Sequence, residues 1–201
     1  MQRTLERIAT ERLVLRTWQR EDLSEFARMH ADPVVMRDLG GPISTEESRV
    51  KLLRYISMYE VFGFSRYCVE DRAGEFVGYV GVCPRREDQV IGSHNEIGWR
   101  LNYAQWGKGY ATEAAQACIA EFRRAFPDTE IISYTSALNM RSQNVMARLN
   151  LVRAPSRDFE MRKTSGRRTP LLVWVVIGVC FVGVRALRSV LRGGGGTYVL
   201  H

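Results

Sequence analysis

The chain has 201 residues, 45% of them hydrophobic and 25% charged, with a formal net charge of +7, proportions that fit one globular domain with a sizeable core. The positive balance does not describe a nucleic-acid surface. Acids and bases are equal in number over residues 1–160, and the whole excess sits in residues 161–201, where Arg162, Lys163, Arg167, Arg168, Arg185, Arg188 and Arg192 have no acid among them. Cys68, Cys83, Cys118 and Cys180 form no C-x-x-C pair and have no histidine at ligand spacing, so neither a metal site nor a disulfide framework is expected. Reduced thiols and an N-terminus without an apolar run point to a cytoplasmic protein.

In chain order, Arg12–Arg16 alternates as a strand. Residues 22–30 form a short helix with Leu23, Phe26 and Ala27 on one face, stopped by Asp32-Pro33. Ser44 and Glu47 make a capping box ahead of a helix striped by Arg49, Leu52, Leu53 and Ile56. Ser65–Glu70 and Phe76–Val82 read as a hairpin, followed by a polar loop over 83–94 and a strand over Glu96–Leu101. A turn, Gln105-Trp106-Gly107-Lys108-Gly109-Tyr110-Ala111, then leads into a helix from Thr112 to Phe126. Ile131–Thr135 is a strand, and Ser142–Leu149 a helix with Asn150 placed for a left-handed cap. Hairpin, strand, helix, strand, helix gives an α+β (mixed α/β) fold, a sheet flanked by helices.

The glycine turn carries the chemistry. Gly107 and Gly109 let the backbone approach a ligand, and the free N–H groups of the following helix, with its dipole, suit a pyrophosphate. The turn is neither a P-loop nor G-x-G-x-x-G. With its neighbours, E-I-G-W-R-L, W-G-K-G-Y-A-T-E-A and L-N-x-R-S-x-x-V-M-x-R-L, and with T-E-R-L-V-L-R, H-A-D-P-V-V-M-R and G-G-P-I-S upstream, it resembles the GNAT acetyltransferase superfamily over residues 10–160. The nearest likeness is to the ribosomal-protein-alanine N-acetyltransferase branch.

That resemblance implies a central mixed, mostly antiparallel sheet, and acetyl-CoA as co-substrate with no metal. It also implies direct acetyl transfer to a peptide or small-molecule amine in a ternary complex. The family's pyrophosphate motif falls on Trp106, Gly107, Lys108, Gly109, Tyr110 and Ala111, with Trp106 where Gln or Arg is usual. Trp99, Arg100 and Leu101 lie on the strand expected to bond the pantetheine arm, Asn139 is expected to hold the CoA amide or to place Ser142, and Arg141 to reach the adenosine phosphates. An amine must lose its proton before it attacks, and Glu96 is the candidate base, with a raised pKa beside Ile97 and Trp99. A surface ion pair is the plainer role for it, and His94 is a rival base. Ser142 is the candidate acid for the leaving thiolate, Tyr134 the alternative, and helix capping accounts equally for Asn139 and Ser142. A non-catalytic CoA-binding module is the other reading of the same motifs.

The resemblance ends at Asp158-Phe159, dividing a domain at 1–160 from an atypical apolar and basic tail at 161–201. Fourteen apolar or small residues, Leu171–Val184, then run between arginines. In the family's fold a final strand lies beside residues 131–135, and without it backbone groups stay unpaired. The apolar run or Thr197–Leu200 supplies that strand, or residues 171–187 anchor a membrane adaptor, or the tail reflects a shifted reading frame. A fourteen-residue run is shorter than the ~17–20 a spanning helix needs.

Overall fold

A computed structural model describes residues 6–85, 91–162 and 168–176. In order, the elements are β1 (Arg7–Ala9), β2 (Leu13–Arg16), α1 (Leu23–Ala31), α2 (Pro33–Met36), α3 (Thr45–Phe62), β3 (Arg66–Asp71), β4 (Phe76–Arg85), β5 (His94–Leu101), α4 (Tyr110–Ala125), β6 (Ile132–Ser136), α5 (Met140–Arg148), β7 (Val152–Arg153), β8 (Phe159–Arg162) and β9 (Arg168–Val175). The strands form one sheet in the order β1-β2-β3-β4-β5-β6-β9-β7, with β8 also on β9. Every pairing is antiparallel except β5 with β6.

Alternation along the strands divides the interior into two layers. Val80, Val82, Ile97 and Leu101 face Ala114, Ala115, Cys118 and Phe122 of α4. Tyr79, Cys83 and Cys68 face Phe26 and Met29 of α1 and Leu52 and Tyr55 of α3. The small residues of α4 let it lie close to the sheet, which fixes where its N-terminus points.

Several expected boundaries move, each for a local reason. Pro33 does not merely end α1: the Asp32 side chain accepts from the N–H groups of Val34 and Val35, and Pro33 opens α2 at the position where no N–H is needed. The polar loop expected over 83–94 is shorter, because β4 continues to Arg85 and β5 begins at His94. Pro84 is tolerated there because β3 stops opposite Gly81, leaving Pro84 a partner strand on one side only. The three-residue β1 was too short to show a pattern. Asn150 does take the left-handed cap, at φ 56°.

The place beside β6 is filled by β9, with pairs running from Ile132↔Val175 to Ser136↔Leu171. Thr197–Leu200 and residues 177–187 lie outside the described residues. Among those described, no helix is long and apolar enough to cross a membrane.

β5 and β6 meet at one register pair, Glu96↔Ile132. Beyond it the two strands part, and the backbone edge of β5 from Ile97 to Leu101 borders an opening into which α4 and α5 both present their first turns.

Candidate active site

The opening is a cleft of about 1040 Å³, bordered by β5, the glycine turn, α4, α5 and the segment around α2. Gly107 (φ 79°) and Gly109 (φ 83°) both take the left-handed conformation that side chains resist. Gly109 is the N-cap of α4, so the free N–H groups of the first turn point into the cleft.

A clamp between residues far apart in the chain, with no local signature, holds this turn. Arg12 donates from Nη1 to the Lys108 carbonyl (2.9 Å) and from Nε to Glu113 (2.7 Å). Glu113 also accepts from the Thr10 hydroxyl (2.6 Å) and the Arg12 N–H (2.9 Å). Partial burial pushes the Glu113 carboxyl up, but the bonds from Thr10 and Arg12 outweigh it and hold the pKa below the usual range. Arg12 thus offsets an acid that would otherwise repel an anion in the first turn of α4.

Across the cleft, the Asn139 side chain accepts from the Ser142 N–H (3.2 Å) and caps α5. The Arg141 guanidinium lies over the Trp106 ring (4.5 Å), and Trp106 donates its indole N–H to the Leu101 carbonyl (2.9 Å). Trp106 therefore packs the turn against β5, a job its bulk suits and a Gln would not do.

Eleven residues singled out from sequence border this one cleft: Trp99, Arg100, Leu101, Trp106, Gly107, Gly109, Tyr110, Ala111, Asn139, Arg141 and Ser142. Two others do not. Lys108 turns outward, its ammonium on Gln105 (2.8 Å). Glu96 lies further back along β5, on the face it shares with Arg100 but outside the cleft lining, where its carboxylate accepts from Arg85 Nε (2.6 Å) and pairs with Arg66 (3.1 Å).

The raised pKa expected for Glu96 is reversed. Burial pushes it up, but Arg85 and then Arg66 outweigh burial and hold it down to about 2. Tyr134 donates its hydroxyl to the same carboxylate (3.3 Å), and burial, with Glu96 beside it, pushes its pKa up, so it keeps its proton. His94 Nδ1 meets the Gly92 carbonyl (2.8 Å), and its Nε2 is buried with no hydrogen-bond partner among the described residues. Gly98 is what makes room for this arrangement: a Cβ there would stand 2.6 Å from Arg66 Nη2. The sequence could not show it, since Arg66 and Arg85 reach Glu96 from two other strands.

Residues 12–152 match the acetyltransferase (GNAT) domain. The chain is 33% identical over 116 residues to YkkB of Bacillus subtilis, covering 56% of this chain and 66% of that protein. It is 30% identical over 148 residues to the FsC-acetyl coenzyme A-N(2)-transacetylase of Aspergillus fumigatus, covering 69% of this chain and 61% of that protein. The matched part thus spans slightly under two thirds of these relatives' lengths. In fold it is similar to RimL, the ribosomal L7/L12 α-N-protein acetyltransferase, in complex with coenzyme A. The TM-score is 0.69 at 18% identity, over 86% of this chain and 98% of that one.

Proposed function

This chain belongs to the acetyltransferase (GNAT) domain family, and on that premise we propose that it moves the acetyl group of acetyl-CoA directly to a primary amine, on a protein N-terminus or a small molecule. The observation that carries this reading is the parting of β5 and β6 opposite the Gly107–Gly109 turn. It leaves a row of strand backbone groups, a helix N-terminus and a capped second helix facing one space.

In this reading the N–H groups at the start of α4 hold the pyrophosphate, and the open edge of β5 at Trp99–Leu101 bonds the pantetheine amides. Asn139 and Arg141 border the same arm. A backbone N–H of Gly98–Arg100 stabilises the negative charge that develops on the carbonyl oxygen. Ser142 gives a proton to the departing thiolate. Glu96 keeps its charge and fixes the strand, while the amine gives up its proton to water in the open cleft. Residues 1–160, completed by β9, form the catalytic unit.

Two measurements test this. Titration of acetyl-CoA into the chain gives a dissociation constant that Gly107→Ala with Gly109→Ala raises at least about tenfold, because left-handed backbone costs ~1–2 kcal/mol per substituted residue and misdirects the N–H groups. Unchanged affinity in a variant of normal circular dichroism removes the turn from the binding site. With any amine that turns over, Ser142→Ala lowers kcat by about a hundredfold, the low end for general acid catalysis. An equal loss confined to KM would make Ser142 a binding residue instead.

A further inference from the structure

The end of the cleft where Arg100 meets α2 carries positive charge that the protein does not neutralise. Arg100 lies opposite Tyr79 in the β4–β5 register, so the two side chains share the face under α1 and α3. Its guanidinium sits over the Tyr79 ring (5.5 Å), Nη1 approaches the Met36 sulfur (3.2 Å), and Nε is buried with no hydrogen-bond partner among the described residues. A ring face and a thioether are weak partners for a group with five N–H donors.

Lys51 of α3 reaches the same ring from 5.8 Å. His30 orients it: Nδ1 meets the Phe26 carbonyl (2.8 Å) and so carries the proton, leaving Nε2 to accept from Lys51 Nζ (3.3 Å). Burial first, and then the charges of Arg100, Arg54, Arg85 and Arg66, push Lys51 down to about 6, so near neutral pH it is mostly the neutral amine and gains its charge when a carboxylate sits beside it. The buried acid of this layer, Glu96, is already engaged by Arg66 and Arg85. Asp38, which also borders the cleft, pairs with Arg37 (3.7 Å). Among the described residues no carboxylate pairs with Arg100 or Lys51.

We infer that the amine accepted at this site carries a carboxylate, which docks on the Arg100 guanidinium with Lys51 behind it. A flat guanidinium laid on an aromatic ring presents its donors in a plane, the geometry that a carboxylate matches with two bonds. The inference rests on the acetyl-transfer reading above and narrows its substrate class to amino acids and to peptides with an acidic residue near the N-terminus.

The test is acetyl transfer by the full chain, followed as thiol release from acetyl-CoA. The acceptors are ω-amino carboxylates of increasing length, dipeptides with aspartate in second position, the neutral amide of each, and phosphoethanolamine. At least one carboxylate is expected to exceed its own amide about tenfold in kcat/KM. Arg100→Gln is expected to shrink that ratio to about twofold or less and Lys51→Met to reduce it. A ratio is unmoved by a general loss of activity, so partial misfolding of either variant does not imitate the result. Carboxylates and amides used equally by the unaltered chain, or a ratio that survives Arg100→Gln, would overturn the inference and leave acetyl transfer standing. So would phosphoethanolamine outrunning every carboxylate. Absence of transfer to every amine would overturn both.

Discussion

A chain ending at residue 160 is expected to be unfolded or insoluble, whereas one ending at residue 176 is expected to give a cooperative melt. The short form loses β9, which lies between β6 and β7 and also holds β8. Leu171, Val173 and Val176 are 9%, 0% and 8% exposed. At ~1.5–3 kcal/mol for each buried aliphatic side chain, they contribute about as much as the whole of a typical domain's stability. Their removal also bares Ile132 and Ser133, which are 0% and 2% exposed, and strips the hydrogen bonds from one edge of β6. Circular dichroism and thermal melts of the two truncated chains decide the matter. A folded 1–160 form that binds acetyl-CoA would mean that β6 can stand as an edge.

Glu96→Gln is expected to be mainly a stability variant. Removing one partner of a buried ion pair strands the others, here Arg66 at 3% side-chain exposure and Arg85 at 23%. Such losses run to about 3–5 kcal/mol, a fall in Tm of roughly 10 °C for a domain of this size. The pH dependence follows from a folded-state pKa of about 2 against an ordinary 4.5. Because the folded value is the lower one, the stabilisation is complete above pH ~4.5 and disappears as the pH falls toward 2, a loss of about 3 kcal/mol. The unaltered chain should therefore lose more stability than Glu96→Gln over that window, as denaturant titrations at a series of pH values will show. Turnover should rise with pH along the acceptor amine's own ionisation. A kinetic limb between pH 5 and 7 that vanishes in Glu96→Gln would restore Glu96 as the base.

Features of this protein that depend on neighbours along the chain were legible in the sequence. The Gly107–Gly109 turn, the Asn139 cap with Ser142 behind it, and the left-handed Asn150 are each set by residues a few positions apart. Features that depend on the sheet bringing distant residues together were not. Glu96 read as a lone acid beside apolar residues, because the arginines that hold it lie 11 and 30 positions away. The Arg12–Glu113 clamp joins residues 101 apart, and neither stood out in its own surroundings. The apolar run after residue 170 was ambiguous for another reason: fourteen apolar residues fit a buried strand or part of a membrane helix. What favours the strand for its first part is a vacancy beside β6, which exists only in three dimensions.

That vacancy also sets an order of events. β1 to β5 pair with their sequence neighbours and can close as each hairpin is made, but β6 waits on a strand encoded much later. At roughly 5–20 residues per second, synthesis leaves the edge of β6 unpaired for a few seconds, with Ile131 and Ile132 ready to meet any other extended segment. The last of the described strands to be made is an interior one, so the half of the sheet that borders the cleft is the part of the newborn chain that a chaperone has most reason to hold.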